Sequence, residues 1–190
     1  MEIVFIRHGE STANVLQREE GAFYCGQWDC GLTEKGTLQA ESLKGSAAVS
    51  GADAIFCSPL KRALDTAKGF AGREITVDPR LAERSMGVFE GKHRSELQQI
   101  GEYEKYFTDE RYTGFRNSFT VAAPGGETFA DVVKRVTPFL NELKNGAYKK
   151  AVVVSHIGTI RCMLKVIRGL SEEETVGIKV KQCEPIITEF

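Results

Sequence analysis

The chain begins Met1-Glu2-Ile3-Val4-Phe5-Ile6-Arg7-His8-Gly9, and this stretch decides the fold. Its four apolar residues are consecutive rather than alternating, and most are β-branched, which is typical of a short strand. Continuous hydrophobicity of this kind favours a strand of a parallel sheet that is covered on both faces. We therefore predict a buried strand over residues 2–6, with Arg7 and His8 at its carboxyl end.

Two later segments have the same character and alternate with helical patterns. Residues 52–57 read ADAIFC and residues 150–155 read KAVVVS. Alternation of strands with helices predicts an α/β fold, a three-layer α/β/α sandwich with a mainly parallel central sheet and right-handed crossovers. Ligands of such sheets bind beyond the carboxyl ends of the strands, so the residues that follow each strand are the first candidates for function.

The predicted helices have recognisable starts. We interpret Ser58 as the N-cap, and Pro59 as the first-turn proline, of the helix after the second strand. Thr128 and Asp131 resemble a capping box, with aspartate where glutamate or glutamine is usual. Pro138 should kink the helix that follows, because proline removes a backbone donor.

The remaining segments complete one predicted domain, residues 1–190. Residues 33–48 form a weaker helical pattern, and residues 157–167 a stronger one. Residues 91–119 are polar, aromatic and less periodic. We interpret this segment as a substrate-covering excursion over the active face.

The composition excludes several classes of protein. A net charge of −1 provides no positive field that would favour nucleic acid. No apolar run approaches the ~20 residues of a membrane helix, and the N-terminus lacks the features of a secretory signal. We therefore expect a cytoplasmic protein with no nucleic-acid or membrane partner, and a homodimer is compatible with the sequence.

The cysteines predict neither a disulfide framework nor a metal site. Their number is odd and no two are closely spaced, and with the three histidines they do not match usual zinc-ligand spacing. We expect reduced cysteines and no metal. They occupy positions 25, 30, 57, 162 and 183.

The three predicted strands end in histidine, arginine or both. Arg7-His8 follows the first strand, Arg62 lies shortly after the second, and His156 follows the third. Each residue alone has an ordinary explanation, as a solvated corner, a helix surface or a hydrogen-bonded core histidine. Together, two guanidiniums and two imidazoles at one rim predict a pocket for a tetrahedral oxyanion such as phosphate.

These residues belong to motifs that resemble a known family. Arg7-His8-Gly9-Glu10-Ser11, followed by Asn14, resembles the signature of the histidine phosphatase superfamily, which includes the cofactor-dependent phosphoglycerate mutases. Further blocks resemble the remaining motifs of that family in the same order. They are Leu32-Thr33-Glu34-Lys35-Gly36 with Gln39-Ala40, Ser58-Pro59-Leu60-Lys61-Arg62-Ala63 with Thr66-Ala67, Leu81-Ala82-Glu83 with Gly87, Glu90 and Gly91, Pro124-Gly125-Gly126-Glu127-Thr128, and Val154-Ser155-His156 with Gly158 and Arg161.

The resemblance implies a phosphoglycerate mutase-like fold and a role for each matching residue. His8 would attack phosphorus, Arg7, Arg62 and His156 would bind the phosphoryl oxygens, and Glu83 would protonate the leaving oxygen. No cofactor is implied for hydrolysis. Ser11, Asn14, Cys25, Gly26, Ile157 and Arg94 are the further candidates for substrate binding.

Two details of this chemistry carry structural expectations. His8 must be neutral at the attacking nitrogen, so its other nitrogen should donate to a backbone carbonyl. Ile157 stands where the family usually has glycine directly after the second histidine, and its β-branched side chain should narrow the pocket.

Three functions remain open. The first is a phosphatase of a small phosphorylated metabolite, closest to enzymes such as α-ribazole phosphatase. The second is a mutase, which Arg94 favours, whereas the region around Arg111 offers one arginine beside two carboxylates. The third is a non-catalytic phospho-ligand binding module, but this chain retains every catalytic residue of the family. We expect the phosphatase because the chain is short and its pocket should admit water.

Overall fold

The computed structural model describes residues 1–19 and 22–190 and contains two sheets. The strands are β1 (Glu2–Arg7), β2 (Phe23–Tyr24), β3 (Ala54–Cys57), β4 (Ile75–Val77), β5 (Lys92–His93), β6 (Lys150–Ser155) and β7 (Ile186–Glu189). The helices are α1 (Thr12–Glu19), α2 (Glu34–Glu41), α3 (Lys61–Phe70), α4 (Arg94–Leu97), α5 (Lys105–Thr108), α6 (Glu110–Thr113), α7 (Phe129–Asn145), α8 (Ile157–Arg168) and α9 (Glu172–Gly177).

The five-stranded sheet brings the predicted strands together. Its order is β4-β3-β6-β1-β7, in which the first four strands are parallel and β7 pairs antiparallel with β1 at one edge. The strands β3, β6 and β1 are neighbours, so their carboxyl ends lie side by side at one edge of the sheet. The predicted α/β fold with a mainly parallel sheet is confirmed.

Both faces of this sheet are buried, as the continuous apolar strands predict. In β1, Ile3 and Phe5 contribute to a core cluster with α7 and α8 on one face, whereas Val4 and Ile6 contribute to a cluster with α3 on the other. All four side chains are inaccessible to solvent. A strand with water on one face would alternate apolar and polar residues instead.

The helix after β3 begins later than its sequence predicts. Its N-cap is Leu60, and the Lys61 N–H donates to Asp29 Oδ1 at 2.9 Å, so a carboxylate from a distant loop caps this helix. The interpretation of Ser58 as N-cap is therefore wrong. The Ser58 hydroxyl is left free for a role in the site, described below.

The other predicted helices are largely present. The capping box of Thr128 and Asp131 is formed, and α7 continues through Pro138 without ending there. The prediction over residues 33–48 was too long, because α2 ends at Glu41 and turns follow. The prediction of a helix after the third strand is confirmed by α8.

Close backbone approach fixes the loop after β1. A Cβ on Gly9 would lie 2.5 Å from the Gly36 carbonyl oxygen, and a Cβ on Gly36 would lie 2.0 Å from the Glu10 carbonyl oxygen. Real Cβ atoms do not approach so closely, so both positions need glycine for steric reasons. This contact packs the start of α2 against the loop that carries His8.

The segment 91–119 consists of short helices around an aromatic cluster. Phe89 is fully buried there and contacts the rings of Tyr103, Tyr106, Phe107 and Phe115. The pairwise ring contacts hold the short helices α4, α5 and α6, each too short to be stable alone. No helix among residues 1–19 and 22–190 combines the length and hydrophobicity needed to cross a bilayer.

Candidate active site

A cavity of about 370 Å³ opens beyond the carboxyl ends of β1, β3 and β6. All but two of the predicted site residues line it. Those in its wall are Arg7, His8, Ser11, Asn14, Cys25, Gly26, Arg62, Glu83 and Ile157. His156 lies immediately behind the wall with its ring centroid 5.1 Å from that of His8, and Arg94 is elsewhere.

His8 is held as a neutral imidazole. Its side chain is nearly buried, and Nδ1 lies 2.7 Å from the Gly9 carbonyl oxygen. A carbonyl oxygen can only accept, so Nδ1 carries the proton and Nε2 keeps its lone pair. Burial, together with the positive charges of Arg62 and Arg7, lowers the pKa of His8 well below its ordinary value. The expected backbone hydrogen bond is present.

His156 is oriented by Ser58. The His156 ring is fully buried, with Nε2 2.7 Å from Ser58 Oγ, and Nδ1 has no hydrogen-bond partner in the described structure. Ser58 Oγ also accepts from the Leu60 N–H at 3.2 Å. If the hydroxyl donates to Nε2, the neutral ring carries its proton on Nδ1. Burial and the charge of Arg62 lower the pKa of His156 well below its ordinary value, which favours this neutral form.

The two arginines are anchored by backbone carbonyls instead of carboxylates. Arg7 Nη1 donates to the Val180 carbonyl oxygen at 2.9 Å, and Arg62 donates to the carbonyl oxygens of Gly26 and Trp28 at 2.8 and 2.9 Å. Carbonyl groups fix the guanidiniums through hydrogen bonds but carry no net negative charge of their own.

Two buried donors at this site lack a partner. They are Arg7 Nε and His156 Nδ1, neither of which is hydrogen-bonded to any described residue. An unsatisfied buried donor costs about 1–3 kcal/mol, so such groups call for an explanation. An oxyanion bound beside His8 Nε2 would satisfy both.

Among the described residues, Glu83 is the one carboxylate in the cavity wall. Its Oε1 accepts from the Arg84 N–H at 2.8 Å and its Oε2 from the Gly158 N–H at 3.2 Å. These bonds orient the carboxyl group across the cavity from His8. The guanidinium of the neighbouring Arg84 is engaged elsewhere. It is buried and donates to the carbonyl oxygens of Phe115, Glu127 and Arg116.

Asn14 is fixed so that its amide can donate. Three donors converge on its Oδ1: the Ser11 N–H at 3.1 Å, the Ser11 hydroxyl at 3.0 Å and Gln182 Nε2 at 2.8 Å. With Oδ1 fully used as an acceptor, the NH₂ group is what Asn14 offers to a ligand. Ser11 thus helps to fix the orientation of the Asn14 amide in the cavity wall.

The structure corrects the prediction for Arg94. Its guanidinium lies over the Phe107 ring, 5.3 Å from the centroid, and it does not line the cavity. Arg111, in α6 of the same segment, also lies outside the cavity. It is paired with Asp109, and its side chain is 81% exposed. The physical reason is that the short helices turn one side towards the aromatic cluster and the other towards solvent.

Sequence reasoning missed a different cation from the same segment. Arg116 and its neighbour Asn117 line the cavity. The Arg116 guanidinium lies over the Tyr24 ring at 5.0 Å, burial lowers its pKa, and no acidic residue among the described residues pairs with it. Arg161, which was noted only as part of a family motif, also lines the cavity. The cavity is therefore more cationic than the sequence predicts.

No separate metal-binding cluster accompanies these residues. Within the part of the chain that the structure describes, no three histidine, cysteine, aspartate or glutamate side chains are grouped so as to hold a metal ion. The positive charges at the cavity are those of arginine.

Comparison with known proteins places this geometry in context. The model of a family described as histidine phosphatase superfamily (branch 1) matches residues 3–190. The 2,3-bisphosphoglycerate-dependent phosphoglycerate mutase of Bartonella henselae is 28% identical, over 99% of this chain and 91% of the mutase.

Solved structures agree with this match. The α-ribazole phosphatase of Shigella flexneri superposes with a TM-score of 0.82 and 27% identity, covering 98% of this chain and 89% of that one. A mycobacterial glucosyl-3-phosphoglycerate phosphatase in complex with VO3 superposes with a TM-score of 0.81 and 25% identity, covering 98% of this chain and 91% of that one. Similar folds thus occur in proteins named as phosphatases and as a mutase.

The contact between Gly158 and Glu83 generates a prediction. A Cβ on Gly158 would lie 2.6 Å from Glu83 Oε1, so Gly158→Ala must displace the carboxyl group. Because general acid–base catalysis contributes about 10²–10⁴-fold, we expect kcat on an alkyl phosphate to fall about 10–100-fold.

The neighbouring residue supplies the control. Ile157→Gly removes a side chain from the cavity wall without touching Glu83, and it should change the preference among phosphate esters while leaving hydrolysis of a small generic ester nearly intact. Steady-state kinetics of both variants provide the measurement. A loss of about a hundredfold in Ile157→Gly, or none in Gly158→Ala, would contradict these roles.

Proposed function

The chain belongs to the histidine phosphatase superfamily, and on this basis we propose that it hydrolyses the phosphomonoester of a small metabolite through a phosphohistidine on His8. The observation that carries the proposal is the arrangement around His8. Its lone pair on Nε2 meets a cavity bordered by two buried nitrogens that have no hydrogen-bond partner among the described residues, Arg7 Nε in the wall and His156 Nδ1 behind it. A nucleophile and two donors awaiting an oxyanion are the parts that transfer of a phosphoryl group requires.

The proposed first step is attack of His8 Nε2 on phosphorus. The phosphoryl oxygens bind Arg7, Arg62, His156 Nδ1–H and the amide of Asn14, which neutralise charge on the transferring group. Phosphoryl transfer depends mainly on positioning and on electrostatic stabilisation of the equatorial oxygens. Fixed guanidiniums can supply the neutralisation that magnesium provides in other enzymes of phosphoryl transfer.

Glu83 takes part in both half-reactions of this proposal. In the protonated form it donates to the alcohol oxygen as the P–O bond breaks. As a carboxylate it then accepts a proton from the water that attacks the phosphohistidine. Its hydrogen bonds from the N–H groups of Arg84 and Gly158 keep it in position for both transfers.

The additional arginines favour a substrate with a second acidic group. Arg116 and Arg161 line the cavity. Arg161 is anchored by a hydrogen bond from its Nε to the Ile178 carbonyl oxygen at 2.9 Å. Arg116 has a desolvated guanidinium that pairs with no carboxylate among the described residues. We infer that the natural substrate is a phosphorylated metabolite carrying a carboxylate or a second phosphate, and that residues 91–119 cover it.

Mutase activity is the second candidate, and the same Arg116 favours it. A mutase returns the phosphoryl group from histidine to a second position of a bound acid, which needs a cation to hold that acid while water stays out. The two activities separate by product. With 3-phosphoglycerate and its bisphosphate primer, a phosphatase releases inorganic phosphate, whereas a mutase forms 2-phosphoglycerate.

The phosphohistidine can be trapped directly. With ³²P-labelled p-nitrophenyl phosphate, whose leaving group needs little acid assistance, we expect Glu83→Gln to accumulate label because water attack on the phosphohistidine loses its base. The label should be acid-labile and alkali-stable, and His8→Ala should incorporate none. Rapid quench in alkaline detergent followed by peptide mapping at alkaline pH gives the measurement, and a parallel acid-treated sample should lose the label.

The controls separate this mechanism from its rivals. Wild-type turnover in His8→Ala, or label on any other residue, would overturn the proposed mechanism. Absence of label on His8 together with no release of phosphate by the wild-type chain would leave the binding module as the correct function.

The inferred acidic subsite is tested with a matched pair of arginines. Arg116→Gln should lower kcat/KM for phosphorylated carboxylic acids about 10–100-fold, since a charge-assisted hydrogen bond contributes about 1.5–3 kcal/mol. Hydrolysis of p-nitrophenyl phosphate should hardly change.

Arg111→Gln provides the control, because Arg111 is exposed and paired with Asp109 outside the cavity. It should alter neither reaction. Equal losses on both substrates in Arg116→Gln would show that Arg116 acts on folding or on the phosphoryl site, and would contradict the subsite.

A further inference from the structure

Two thiols that the sequence suggests are independent are neighbours in the structure. Cys25 lies in the cavity wall, and Cys30 is 7% exposed directly behind it. Both belong to one small cluster with Phe23, in which the Cys25 thiol donates to the Trp28 carbonyl oxygen at 3.8 Å. The pair therefore lies between the cavity and the loop that follows β2.

Among the described residues, all hydrogen-bond acceptors of the Arg62 guanidinium lie in this loop. Nη2 donates to the Gly26 carbonyl oxygen at 2.8 Å, and Nη1 donates to the Trp28 carbonyl oxygen at 2.9 Å and to Cys30 Sγ at 3.8 Å. Cys25 and Cys30 stand at the two ends of that six-residue span. A change in their bonding must act on the residues that hold Arg62.

The surroundings of Cys30 favour a thiolate. Arg62 Nη1 donates to its sulfur at 3.8 Å. The adjacent Cys25 thiol and the charge of Arg62 lower the pKa of Cys30 to about 5 against the opposing effect of burial. Burial instead raises the pKa of Cys57 and Cys162 to about 12. Thiolates, not thiols, react with oxidants, so Cys30 should be the reactive sulfur.

We propose that Cys25 and Cys30 form a reversible disulfide in the presence of a peroxide, and that this bond weakens anion binding by withdrawing the anchors of Arg62. The inference goes beyond the proposed phosphatase, since it assigns a modification site. Hydrogen peroxide enters by the cavity, where Cys25 is accessible, and reacts at the adjacent sulfur of Cys30.

The chemistry is a two-electron oxidation of the thiol pair. The Cys30 thiolate attacks one peroxide oxygen, the O–O bond breaks, and hydroxide leaves and takes up a proton to form water. The sulfenic acid on Cys30 is then attacked by the Cys25 sulfur as its proton departs. The S–S bond forms, the S–O bond breaks, and a second water leaves.

The consequence for Arg62 follows from geometry and charge. A disulfide requires Cβ atoms about 3.8 Å apart in a defined dihedral arrangement, so the span 25–30 must tighten and shift the carbonyl groups of Gly26 and Trp28. The negative charge on Cys30 is lost at the same time. Arg62 then has fewer acceptors and no thiolate, and it no longer stays in place for a phosphoryl oxygen.

The test uses the full chain treated with hydrogen peroxide. Mass spectrometry after alkylation should show a loss of two hydrogens and a link between Cys25 and Cys30, while Cys57, Cys162 and Cys183 remain alkylatable after unfolding. The Kd of inorganic phosphate, measured by calorimetry, should rise at least tenfold, and dithiothreitol should restore it. This readout does not depend on turnover, so it is independent of whether the proposed function is correct.

Matched variants decide the outcome. Cys30→Ser and Cys25→Ser should each show the same phosphate Kd before and after peroxide, whatever their own starting value, whereas Cys183→Ser should respond as the wild type does. Over-oxidation of Cys30 to a sulfinic acid without a link to Cys25 would overturn the proposal. So would a Cys25–Cys30 link that leaves the phosphate Kd unchanged.

Discussion

The structure depends on two guanidiniums at the cavity that form no ion pair with a carboxylate among the described residues. Arg62 is 2% exposed and is held by backbone carbonyl oxygens and a sulfur, and Arg7 is held by a carbonyl oxygen. A buried charge is costly unless it is paired or hydrogen-bonded. Carbonyl anchors fix the orientation of the guanidiniums but carry no net negative charge, so an anionic ligand completes the site. Burial, reinforced by the charges of Arg62 and Arg7, lowers the pKa of His8.

The rest of the fold serves this arrangement. The neighbouring parallel strands β1 and β6 deliver Arg7, His8 and His156 to one edge, and their burial on both faces makes that edge rigid. The Gly9–Gly36 contact fixes the loop whose carbonyl group sets the tautomer of His8. Ser58, displaced from the helix cap by Asp29, orients the second imidazole. Local backbone contacts and hydrogen bonds thus determine which ring nitrogen faces the cavity.

The sequence alone located the residues that follow the strands. It did not predict the position of residues whose placement depends on the direction of the side chain. Continuous apolar strands followed by Arg-His or Ser-His locate the catalytic set, because parallel strands must share an edge. Arg94 and Arg116 lie in the same aromatic segment, and only three-dimensional packing decides that Arg116 enters the cavity while Arg94 covers Phe107. The contact of Cys25 with Cys30 is likewise invisible in their spacing, since it results from the loop that wraps Arg62.

The central claim is that His8 stays neutral, with its proton on Nδ1, inside a cationic cage. Nitrogen-15 NMR of histidine-labelled protein measures both properties, with His8→Ala identifying the signal. The account predicts an Nδ1–H tautomer that persists as the pH falls well below 6.5, because burial and the charges of Arg62 and Arg7 lower the pKa. Protonation of His8 near pH 6.5 or above, or a proton on Nε2 in the neutral ring, would contradict it.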